Sequence, residues 1–175
     1  LGSLRERQVK AQRRYKQDGE KSIIPFTAPT GAGKTIIMSA FIEALYTGDT
    51  YQGTQNDAIV LWISDAPELN EQSKDKLYKV ADKLRNRQVV TIDEQNFKAD
   101  KLQLGTIYYV NTQKFGVNSN LVKYSDSRNY TGWDFMRNTI EEYGDKLVVI
   151  IDEAHRGAKP NEIGTQMSIM QKFVL

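Results

Sequence analysis

The octet Ala28-Pro29-Thr30-Gly31-Ala32-Gly33-Lys34-Thr35 constrains this chain more than any other feature, because it places two glycines and a lysine directly before an apolar helical run. Glycine adopts backbone conformations closed to other residues, so such a loop can wrap with its N–H groups pointing at a single anion. The residues from Ile36 to Leu45 are apolar nearly all round and predict a helix packed in the interior, whose positive end would add to the attraction. The octet matches the phosphate-binding pattern G-x-x-x-x-G-K-[ST], with Ala28 standing in for the first glycine. In that pattern Thr30, Gly31, Ala32 and Gly33 cradle phosphates, Lys34 reaches the terminal ones as a cation, and the Thr35 hydroxyl ligates magnesium. The short run Ile23-Ile24-Pro25-Phe26 predicts the strand that enters the loop.

The remaining pattern alternates apolar runs with helical ones. Ala58 to Ile63 is continuously apolar, as expected of a strand covered on both faces. Val89 to Ile92, Thr106 to Val110 and above all Leu147 to Ile151 are further strands. Helices are predicted over Arg5 to Gly19, Pro67 to Arg85 (core positions Leu69, Leu77, Val80 and Leu84), Phe135 to Tyr143 and Asn161 to Leu175. The charges of the first helix are expected on a solvated face. Gly48 to Asp57 and Gly116 to Tyr130 are polar loops, and Trp62 belongs to the core. This order predicts an α/β fold with a mostly parallel sheet and helices on both faces, in which ligands bind at the carboxyl ends of the strands.

A second chemical motif sits at such an end. Asp152-Glu153-Ala154-His155 follows the apolar run directly, and an acidic pair there is costly unless it meets a cation or does work. Asp152 is assigned to hold magnesium, and Glu153 to position or activate the attacking water. His155 is the only histidine, and with no thiol in the chain a transition-metal site cannot be assembled around it.

Composition sets the outer limits. The 175 residues, 39% apolar and 26% charged, suffice for one domain with a real core. The formal charge of +2 favours no partner. The absence of cysteine excludes disulfides, thiolate zinc sites and cysteine nucleophiles. No apolar run is long enough to span a bilayer, and Leu1 to Arg7 lacks the core of a signal peptide, so no membrane partner and a cytoplasmic location are expected. Without an initiator Met, the sequence is expected to begin inside a longer gene or after a cleaved tag.

Taken together, Ala28 to Thr35 and Asp152 to His155 resemble superfamily 2 helicases and translocases of the DEAD/DEAH-box type, in which alanine at the first loop position is common. Val148 to Gly157 and Tyr109 to Phe115 resemble, more narrowly, the Res subunit of type III restriction enzymes. The resemblance spans nearly the whole chain. It implies a RecA-like domain that uses ATP and Mg2+ and acts on nucleic acid, DNA rather than RNA. It implies that Gln8, in Leu4-Arg5-Glu6-Arg7-Gln8, recognises adenine, since an amide offers a donor beside an acceptor. Pro67, Asn70 and Gln72 after one strand, and Thr112 after another, correspond to segments that touch the nucleic-acid backbone, which neutral donors can do without reading sequence. His155 corresponds to a residue coupling the nucleotide site to other motifs.

Motors of this kind hold ATP between two RecA-like domains, the second supplying an arginine finger. The 175 residues carry only the first, so a second domain, and possibly a modification or specificity subunit, are the expected partners. An RNA helicase domain and a non-motor nucleotide switch remain open as alternatives.

Overall fold

The computed structural model describes residues 1–29, 32–95, 97–125 and 129–152. Along the chain run α1 (Gly2–Asp18), α2 (Lys34–Thr47), β1 (Ile59–Ser64), α3 (Pro67–Val80), β2 (Val89–Thr91), β3 (Ile107–Asn111), α4 (Gly132–Tyr143) and β4 (Leu147–Ile151). Short 3-10 turns occupy Asp82–Leu84, Thr112–Phe115 and Asn120–Val122. The strands form one all-parallel sheet in the order β2-β3-β1-β4, as an α/β domain of RecA type requires.

Strand alternation decides which layer each apolar side chain joins. From β1, Ile59, Leu61 and Ile63 pack with Phe135 and Met136 of α4, whereas Val60 and Trp62 pack with Phe41, Ile42 and Leu45 of α2 and Leu77 of α3. All six residues of β1 are therefore buried, which is why its sequence shows no polar alternation. Burying each large apolar side chain contributes roughly 1.5–3 kcal/mol. The Trp62 and Tyr109 rings, aligned across β1 and β3, stack at 5.7 Å.

Several elements follow local chemistry. Gly19 ends α1 in the left-handed conformation at φ 70°, its N–H bonded to the Tyr15 carbonyl. Thr131 and Asp134 form a capping box that starts α4 three residues ahead of the expected Phe135. Trp133, given no role by sequence, tilts against Phe115 at 4.8 Å.

Other expectations change. Residues 19–29 form no strand, and Ile23 and Phe26 are 70% and 39% exposed. Pro25 lacks the N–H a ladder needs, and its carbonyl instead accepts from Arg7 at 3.3 Å. Helix α3 stops at Val80, and a 3-10 turn then carries Leu84 into the core. Val80 itself is 42% exposed, because the buried stripe Asn70, Ser73, Leu77, Ala81 follows the 3.6-residue period and Val80 falls beside it. In α1 the basic face is not wholly solvated, since Arg5 is completely buried. The polar loop after Gly116 tucks Leu121 into the core. The helix expected over Asn161 to Leu175 lies outside the described residues.

Candidate nucleotide site at the carboxyl edge of the sheet

Helix α2 opens at Lys34 on a glycine cap. Gly33 has φ 73° and ψ 34°, a left-handed conformation costing other residues roughly 1–2 kcal/mol, which accounts for the glycine at this loop position. Its carbonyl accepts from Ile37 N–H at 3.0 Å, and Ala32 N–H donates to Pro29 at 3.1 Å. No side chain caps this terminus and no acidic residue lies in its first turn. The start of a 14-residue helix with no acidic residue in its first turn is an electrostatically favourable place for an anion. Lys34 and Thr35 are half-buried there.

The far end of α2 shows where that start lies. The Tyr46 hydroxyl donates to the Ala58 carbonyl at 2.8 Å, and Gln55 N–H donates to Leu45 at 3.1 Å, so the last turn is anchored where β1 begins. From this amino edge the helix covers the sheet through Phe41, Ile42 and Leu45. Fourteen helical residues span about 21 Å, and the six of β1 about 20 Å. The first turn of α2 therefore faces the carboxyl edge. Asp152 stands on the same edge, one residue past β4, its N–H donating to the Ile63 carbonyl of β1 at 2.9 Å. The expected residues Thr30, Gly31, Glu153 and His155 lie outside the described residues.

Two carboxyl ends further along carry the expected nucleic-acid contacts. Pro67, at the first position of α3, and Gln72 are exposed. Asn70 is 1% exposed and neither amide atom has a hydrogen-bond partner. Thr112 is buried, its hydroxyl donating to Asp65 at 3.1 Å, and Asn111 beside it has an unpaired, buried Oδ1. The sheet thus brings Asn70, Asn111 and Thr112 to one edge but turns them inward, while Pro67 and Gln72 face solvent.

Gln8 is buried in a polar seam that the sequence did not reveal. Its amide oxygen accepts from Arg5, whose Nε donates to Asp49 at 2.8 Å. Burial by itself raises the Asp49 pKa, but Arg5 and the N–H groups of Tyr51 and Gln52 outweigh it and hold the carboxyl below its ordinary value. Gln12 continues the seam, accepting from Gln55 at 2.8 Å and donating to the Asp145 carbonyl at 2.8 Å. The only advance signal was the three-residue spacing of Arg5 and Gln8, which puts them on one helical face.

Among the described residues no three carboxylate, imidazole or thiol groups cluster into a metal cage. A magnesium ion asks for less: one or two protein oxygens, with water and substrate phosphates filling the rest. A hydroxyl at Thr35 and a carboxylate at Asp152 suit that donor set. Among the described residues no helix is long and apolar enough to cross a membrane.

No curated protein and no solved structure matches the chain. The family described as type III restriction enzyme, res subunit, matches residues 1–174, and its members are ATP-dependent, helicase-like motor domains. The all-parallel sheet, the glycine-capped helix α2 and the acid at the end of β4 agree with that match, and the chain belongs to this family, as a RecA-like ATPase domain of helicase superfamily 2.

Proposed function

We propose that the chain is the ATP-binding and hydrolysing unit of a DNA translocase or helicase of restriction-enzyme type, the first of two RecA-like units in the working motor. The observation carrying this reading is the shared edge of the two motifs. The uncapped start of α2 and Asp152 lie at the same carboxyl ends, so one triphosphate can meet both. In this arrangement Lys34 offsets charge on the terminal phosphates, and Thr35 and Asp152 hold Mg2+. The metal, when bound, neutralises charge developing on the transferred phosphoryl group. Glu153 accepts a hydrogen bond from the attacking water and orients it. His155 links this site to the nucleic-acid side. The assignment of Gln8 to the adenine base rests on the family resemblance alone, since its amide is buried against Arg5 beside the exit of α2.

The exposed Pro67 and Gln72 are the first points of contact for a nucleic-acid backbone, with Asn70 and Thr112 behind them. Strand β4 supports a larger assembly. It pairs with β1 alone among the described strands, and all five of its apolar residues remain half-buried. A second RecA-like unit supplying an arginine finger would raise the rate about 10³- to 10⁵-fold, so these residues alone hydrolyse ATP slowly. A modification or specificity subunit is a further partner of the assembled enzyme.

The inward orientation of Asn70 and Thr112 favours a second reading, a nucleotide switch with no nucleic-acid track. Two measurements decide. Lys34→Ala abolishes binding of a fluorescent ATP analogue, and Glu153→Gln retains binding but stops turnover in the intact enzyme. Normal turnover by the Glu153 variant would overturn its assignment. Anisotropy titration with single-stranded and duplex DNA and RNA at stated salt separates the readings: binding to DNA supports the motor, and no binding to any form supports the switch.

A further inference from the structure

A net charge of +2 favours no partner if it is evenly spread, but here it is not. Helix α1 holds six basic residues against two acidic ones, a net +4, so the rest of the chain is net −2. The helix also sorts its charges by face. Arg5, Gln8 and Val9 form the inward stripe, where Asp49 neutralises Arg5. Arg7, Lys10, Arg13 and Arg14 fall on the opposite side, within a wedge of about 120°, and all four are exposed. Glu6 is the one acid of α1 in that wedge, and its bridge to Lys10 at 2.7 Å is too exposed to hold much. Arg7 meets the Pro25 carbonyl, and among the described residues no carboxylate pairs with Arg13 or Arg14.

A face that only keeps a helix in water mixes signs, as α3 does with Glu68, Glu71 and Asp75 among Lys74, Lys76 and Lys79. On α1, Lys10 instead has Arg7, Arg13 and Arg14 as like-charged neighbours three or four residues away, and each pair repels. A polyanion relieves that repulsion. Gln12 shows where the face lies. Its amide donates to the Asp145 carbonyl, just before β4, and accepts from Gln55, just before β1, so α1 crosses the amino edge of the sheet. The carboxyl edge is a strand's length away, about 20 Å.

We propose that the outer face of α1 is a second nucleic-acid contact, holding the phosphate backbone of a DNA duplex without reading its sequence. The inference rests on the DNA-motor reading above and adds a surface remote from the contacts expected at the carboxyl edge. A duplex carries one negative charge per about 1.7 Å of its axis. From Arg7 to Arg14 the helix rises about 10 Å, so a duplex lying along it presents several phosphates to four cations. Three of the four are arginines, whose planar forks grip phosphate oxygens two at a time.

The test is titration of fluorescent duplexes of two unrelated sequences with the intact protein over a range of salt. Arg7→Gln, Arg13→Gln and Arg14→Gln together should weaken binding roughly tenfold or more near 0.1 M salt, equally for both sequences. The slope of log affinity against log salt should become shallower by roughly 2 to 3. Lys at the same three positions keeps the charge and should keep most of the slope. Lys76→Gln, Lys79→Gln and Lys83→Gln remove equal charge from the far end of α3 and the turn after it, and should change the slope by less than about 1. Circular dichroism and undiminished binding of a fluorescent ATP analogue show that each variant is folded. The single Arg variants, each expected to cost about 0.9 of slope, carry the test if the triple one is not. An unchanged slope in folded variants overturns the proposal and leaves the face to an acidic protein. An equal loss from the α3 variant overturns it too, since net charge alone would then account for the effect. Both outcomes leave the motor reading standing, whereas a parent that binds no DNA at any salt overturns both.

Discussion

Thr112 and Asp65 each lie one step beyond the paired ends of their strands, Asn111 of β3 and Ser64 of β1, and the Thr112 hydroxyl donates to the Asp65 carboxylate at 3.1 Å. The contact closes the carboxyl edge between the nucleotide end of the sheet and the segments assigned to nucleic acid. It also spends the hydroxyl's single proton on an acid, so a phosphate approaching Thr112 meets a carboxylate rather than a free donor.

Replacing Asp65 with Asn should therefore strengthen nucleic-acid binding. Removing one unit of repulsion near a phosphate in water is worth about 1 kcal/mol, or fivefold. Anisotropy titrations at low salt should show the gain, and raising the salt should shrink it. Equal affinities at every salt concentration would put the carboxylate off the path of the strand.

Gly33→Ala should cost about 1–2 kcal/mol, because its φ of 73° is left-handed and alanine pays for it. Nearby atoms leave a Cβ ordinary room, so the cost is conformational and not steric. Urea denaturation reads the loss. Nucleotide affinity should fall with it, since the same backbone aims the first N–H groups of α2.

Leu61→Ala should destabilise the domain by roughly 2–5 kcal/mol, as a side chain deleted from the middle of a close-packed core leaves a cavity. Val117→Ala, at a position 74% exposed, should stay within about 0.5 kcal/mol of the parent. Comparable melting shifts for the two would contradict the core assigned to β1.

The capping box of α4 makes a prediction about acid. The Thr131 backbone N–H, the largest cause, together with the Thr131 hydroxyl holds the Asp134 pKa below its ordinary value. A depressed native pKa means stabilisation that is complete above the unfolded value, about 3.9, and lost as pH falls through the native one. Stability should thus be flat near neutrality with respect to this group and decline in acid, with Asp134→Asn showing a shallower decline. Thr131→Ala should cost about 1 kcal/mol at pH 7. Denaturation curves at several pH values test both.

Local sequence determined a good deal of this protein. Apolar runs located β1, β2, β3 and β4 to within a residue or two, because a strand covered on both faces must be apolar throughout. Glycine at position 33 marked the start of α2 because of its backbone conformation, and the acid following β4 marked the carboxyl edge. These features depend on spacing within a few residues. Tertiary structure alone decided which side chains face solvent and which partners meet. It left Ile23 to Phe26 outside the sheet, turned Asn70 and Thr112 inward, and buried Arg5 against an aspartate 44 residues away. No local pattern encodes those outcomes, since the environment of a polar group is set by whatever element packs over it, and an arginine on an apparently soluble helix looks the same in sequence whether water or Asp49 receives it.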